Sequence, residues 1–154
     1  MDDPSSRFAA KPVQINAGGE PVYFVESGAV YRGVRARDVG NGLFVIREPV
    51  RNVQIANIRV EGGYRVIENK AAPELAGAGS VGLRVREANA TNLERSFARI
   101  RYDSHDGVIE DVSASGMLTT GATDLPVGIA FDGTAHDFRV ERCSMRGFQW
   151  QRKA

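Results

Sequence analysis

The sequence predicts an all-β chain: a right-handed parallel β-helix, a solenoid of about six short coils with three strands in each. Three observations lead there. A strand–bend–strand pattern recurs along the chain. Within each copy, apolar and polar residues alternate at a period of two, as in a strand with one buried face. A further short apolar run precedes every copy but the first, and no stretch carries helical periodicity.

The repeat is clearest where His105 to Gly116 aligns with His136 to Gly147, and Asn52 to Gly62 supplies a third copy. Weaker copies begin at Phe8, Ala29 and Leu83. The unit starts are therefore Phe8, Ala29, Val53, Leu83, Gly107 and Phe138, with spacings of 21, 24, 30, 24 and 31 residues. A unit this short cannot bury its apolar face alone, so similar units stack. Four positions per unit are expected to point inward. They are Phe8, Ala10, Val13 and Ile15 in the first unit, Val53, Ile55, Ile58 and Val60 in the third, and Phe138, Val140, Cys143 and Met145 in the last. Gly107 is the one inward position without an apolar side chain, and the interleaved positions are mostly polar.

Two polar residues in the middle of each unit, such as those around Asn57 and the pair Glu110–Asp111, break the alternation without flipping the inward set. A tight bend between two strands, B and C, does this. The closing glycines Gly62, Gly116 and Gly147 suit a turn that needs positive φ. The preceding strand, A, is predicted at Val22–Glu26, Leu43–Arg47, Tyr64–Glu68, Ala98–Asp103 and Gly128–Asp132.

Bulk composition is that of a soluble globular chain, with 154 residues, 42% hydrophobic and 25% charged. A single domain over residues 1–154 is expected, with residues 1–6 and 151–154 as loose termini. A net charge of +1 commits the chain to no anionic partner, and no apolar run is long enough for a membrane helix. The single cysteine, Cys143, excludes an intrachain disulfide and falls in an inward slot, as an inert thiol.

The repeated units, best seen from Asn52 to Gly62 and from Asp137 to Gly147, give the chain a resemblance to the pectate-lyase-like right-handed β-helices. The resemblance covers about Phe8 to Trp150 and is one of fold. It implies a carbohydrate-active or carbohydrate-binding protein, extracellular or periplasmic, with a substrate groove on the face of strand A. An enzyme of this kind would resemble a polysaccharide lyase or a glycoside hydrolase. The chain departs from the family in being short, in lacking an N-terminal capping helix and in having only Asn57 for the asparagine stack at the B–C bend. Met1 to Ser6 holds no signal-peptide core.

Two enlarged segments, Asn69 to Ser80 and Met117 to Pro126, border the A face and could wall a cleft. Charged residues close the A strands: Glu26, Arg47, Glu68, Asp103 and Asp132. Stacked about 4.8 Å apart, carboxylates would raise one another's pKa or share a cation, calcium being the one that oxygen ligands suit. His105 and His136 occupy one template position, so their rings are expected to stack on adjacent coils. Asp103, His105, Asp132 and His136 are the catalytic candidates, and Glu26, Arg47, Glu68 and Lys70 the substrate-binding ones. No metal-ligand motif is present. The same residues also have a plain reading as polar punctuation where strands leave the core. The outer faces carry many arginines opposite Glu61, Glu87, Glu110, Asp111 and Glu141, which cross-strand pairing accounts for. Few exposed aromatics are available to stack bases, so a polysaccharide is favoured over nucleic acid as a partner. The competing reading is a non-catalytic assembly module. Uncapped solenoid ends would make it a homo-oligomer or a fragment of a longer solenoid.

Overall fold

A computed structural model describes residues 14–15, 21–69, 79–117, 127–132 and 134–148. These residues are all-β, with no helix among them, and so with none that could cross a membrane. Twelve strands form: β1 (Gln14–Ile15), β2 (Pro21–Phe24), β3 (Val30–Arg32), β4 (Arg35–Ile46), β5 (Val50–Arg51), β6 (Gln54–Asn69), β7 (Ser80–Val81), β8 (Arg84–Ile100), β9 (Val108–Gly116), β10 (Ile129–Phe131), β11 (Arg139–Glu141) and β12 (Ser144–Arg146). The large sheet runs β1-β2-β4-β6-β8-β9-β11, with β3 on β6, β10 on β8 and β12 on β9. All its pairings but one are parallel, an arrangement compatible with a parallel β-helix.

The register reproduces the sequence alignment. Tyr31 pairs with Ile55, Ile55 with Val85, Val85 with Ile109 and Ile109 with Val140. Ala36, Val60, Ala90, Ala114 and Met145 form a second column. Tyr31, Ile55, Val85, Ile109, Val60, Ala90 and Ala114 are buried, Ala36 and Met145 are half-buried, and Val140 is exposed. Strand A forms as expected, with Tyr23, Phe44, Ile67, Ala98 and Ile129 in register. Strands C and A are not separate, however. In β6 and β8, strands B, C and the following A run as one ladder. Single residues bend that ladder without ending it.

Those bends explain much of the polar punctuation. One column of left-handed residues precedes strand B: Gly28, Asn52, Gly82, Asp106 and Asp137, with φ of 73°, 56°, 73°, 55° and 55°. A second column divides B from C: Gly33, Asn57, Glu87, Asp111 and Arg142, with φ from 50° to 71°. The left-handed region crowds Cβ against the following carbonyl, and short polar side chains tolerate it best. Asp38, Gly62, Asn92 and Gly147 repeat the device where C meets A, whereas Gly116 does not share it.

The first unit departs from the expectation. Gln14 and Ile15 run antiparallel to β2, with Ile15 opposite Pro21. Ile15 therefore does not extend the parallel register, and Phe8, Ala10 and Val13 lie outside the described residues. The remaining five units, from Ala29, Val53, Leu83, Gly107 and Phe138, share one register.

Candidate functional site

The charged ends of the A strands do not form one column. Glu68 sits opposite Val45 on one side and Arg99 on the other, two and four residues short of Arg47 and Asp103, the strand ends expected beside it. Its carboxylate is fully buried and ion-paired with Arg65 and Arg101, the latter at 3.1 Å. Arg65 also donates to Ser96 Oγ at 2.7 Å and Asn41 Oδ1 at 2.6 Å, and Arg101 donates to the Asn69 carbonyl at 2.7 Å. Burial pushes the Arg65 pKa down while the Glu68 charge beside it pushes back. Removing one partner of a buried pair typically costs about 3–5 kcal/mol, so this cluster is a structural tie within the sheet. Asp132 meets Arg99 at 3.1 Å. Arg47 lies over the Phe24 ring at 3.6 Å, and Glu26 is exposed, its backbone N–H donating to Tyr31 Oη. Glu68 and Asp132 thus each have an arginine beside them. Lys70 lies outside the described residues.

The histidines do come together. His105 and His136 form a parallel bridge, and their rings stack with centroids 4.9 Å apart and planes 11° off parallel. Each Nδ1 bonds the next aspartate, His105 to Asp106 at 2.8 Å and His136 to Asp137 at 2.7 Å. Asp103 is 3.6 Å from His136 Nε2. The hydrogen bond that His136 donates to the Asp137 carboxylate raises the His136 pKa above its ordinary 6.5, with the charges of Asp137, Asp103 and Asp106 adding to it against desolvation. So Asp103, His105 and His136 share one corner, while Asp132, Arg47 and Glu68 meet other partners and Glu26 is exposed. Among the described residues, no group of three His, Cys, Asp or Glu is arranged to hold a metal ion.

A depression of about 430 Å³ lies at a different corner, where strand C turns into strand A. Arg37, Asp38, Glu61, Tyr64, Asn92 and Glu94 line it over a floor of Gly62–Gly63, and Met117 stands at its edge. Three irregularities of register fall at this corner, between Asn41 and Phe44, Gly63 and Arg65, and Ala90 and Leu93. Such bulges re-aim side chains. Tyr64 is 44% exposed here, with the Arg95 guanidinium 5.8 Å from its ring centre. Gly63 has φ of 108°, and a Cβ there would sit 2.1 Å from the Val39 carbonyl oxygen of the neighbouring strand, so the floor requires glycine. Arg37 and Glu61 pair at 3.3 Å across the rim.

The chain matches no protein-family model, no curated protein and no solved structure. In the sequence Glu61 and Gly62 read as repeat residues, and the repeat pattern does not mark Tyr64, Asn92 or Glu94. The available signal was the pair Gly62–Gly63 directly before an aromatic at the start of a strand.

Proposed function

We propose that the chain is a right-handed parallel β-helix of about six coils, similar in architecture to the pectate-lyase-like proteins, and that it binds a neutral oligosaccharide at the corner between strands C and A. The observation that carries this reading is the exposed Tyr64 ring set among Asp38, Glu61, Asn92 and Glu94. A sugar presents two chemistries at once. Its axial C–H groups suit the electron-rich face of an aromatic ring. Its hydroxyls need donors and acceptors fixed around that ring, which carboxylate and amide side chains on sheet strands provide. Acids outnumber bases in the depression, and its lining arginine already faces Glu61. That balance disfavours an acidic polysaccharide and favours a neutral one.

The corner replaces the A face as the site because Val45 and Glu68, at the centre of that face, are buried. The test is titration of neutral oligosaccharides against the protein while recording NMR shifts of the tyrosine rings. Tyr64 resonances should move, and Tyr64→Ala should abolish binding while leaving the β-rich circular dichroism unchanged. Binding that survives Tyr64→Ala, or shifts confined to the His105–His136 corner, would reject the assignment.

A further inference from the structure

The two ends of the stack are built differently. At the first end the buried columns begin with Ala29, Tyr31 and Val34, all at most 5% exposed. Tyr23, Tyr31 and Phe44 form a ring cluster there, with centroids 5.2 to 5.6 Å apart. The antiparallel β1 lies against β2 at this end and interrupts the parallel register. At the other end the same columns stay open. Val140 continues the column of Ile109 and is 45% exposed. Phe131 continues that of Ile100 and is 39% exposed, although Ile100 and Ile109 are both fully buried. Met145 and Cys143 are only half-buried beside them. Among the described residues, no strand pairs with the outer edges of β10, β11 and β12.

An open edge next to exposed core side chains invites another strand. The charge pattern of β11 says which one. Arg139 and Glu141 flank Val140 symmetrically, both on the solvent side and 3.8 Å from each other, with Arg142 3.4 Å from Glu141. If a second copy of β11 runs antiparallel with Val140 opposite Val140, each Arg139 faces the Glu141 of the other copy. A twofold axis in the plane of the end face makes this pairing and brings β10 against the other copy's β12. Among the described residues, the first end exposes no large apolar side chain to match Val140 and Phe131 for head-to-tail growth. We infer that the protein forms an isologous dimer, two copies joined end to end through β11 about Val140, and that assembly stops at two. This inference is independent of the oligosaccharide reading.

Reversing one charge on each copy places like charges opposite each other at two sites, and two cross-strand pairs of this kind change affinity by about tenfold. The experiment uses Arg139→Glu, Glu141→Arg and the double variant of the full chain, with mass measured by light scattering across a concentration series. The parent should move from monomer to dimer and no further. Each single variant should weaken the dimer about tenfold. The double variant should restore it, and mixing the two single variants should give a heterodimer. Circular dichroism of each variant should match the parent, since both side chains are solvent-facing. A monomer at every concentration overturns the inference. So does growth into longer polymers, or a dimer indifferent to both charge reversals.

Discussion

At the scale of single residues, side chains in neighbouring units explain exceptions that one unit cannot. Gly107 is the inward position without a side chain, and the Phe138 ring of the next unit fills its space. A Cβ on Gly107 would lie 2.2 Å from Phe138 Cε1. Gly107→Ala should therefore destabilise the protein by about 1–3 kcal/mol through overpacking. Urea denaturation should show the effect shrinking when Phe138→Leu is added, and additive losses would contradict the pairing. The second residue-level case is His136. Its folded pKa is raised, so its contribution to stability is fully present below the unfolded value near 6.5 and is lost as pH rises through the folded pKa. NMR titration should place His136 above 6.5, and Asp137→Asn should lower it. An unchanged titration in that variant would remove Asp137 as the principal cause.

The element that matters most is the one-residue bend. A ladder such as β6 turns corners because Asn57 and Gly62 adopt left-handed backbone while the hydrogen bonds on either side continue. A β-branched residue pays heavily in that region, at about 1–2 kcal/mol. Asn57→Val should lower stability by about that much, whereas Asn57→Gly should be near neutral, because glycine fits the bend but loses more entropy on folding. Equal midpoints for the two variants in thermal denaturation would show that left-handed geometry is not the constraint there. Arg142 takes the same slot at φ 50° and holds Asp111 at 2.7 Å and Glu110 at 3.1 Å, so in the last unit contacts to the preceding unit accompany a residue poorly suited to the bend.

On the scale of the whole molecule, stability in a stacked array is a sum of unit terms and nearest-neighbour contacts. Central units have neighbours on both sides; the last has one. Val140 and Phe131 record the difference in their exposure. Hydrogen exchange should therefore be fastest, among the paired strands, in β11 and β12 and slowest in the strand B and C portions of β6 and β8. Dimerisation through β11 would slow exchange there with rising protein concentration. Uniform protection across all units at low concentration would mean that the array unfolds as one block.

For the B and C strands of the five units from Ala29 to Phe138, alternation and spacing by themselves determined the inward-facing positions and their register, because a period of two leaves a strand only one way to face a core. The unit starts at Ala29, Val53, Leu83, Gly107 and Phe138 follow from Tyr31, Ile55 and their equivalents in sequence alone, and the stacking of His105 on His136 follows with them. Tertiary structure decided the rest. Ile15 matches the inward pattern but pairs antiparallel, since a pattern of alternation is the same read in either direction. Glu68 looked like a surface charge until irregularities in the corners shifted its register and buried it with Arg65 and Arg101. Tyr64, Asn92 and Glu94 are brought together by bulges, and a bulge is an interruption of periodicity, which a reading built on periodicity does not register.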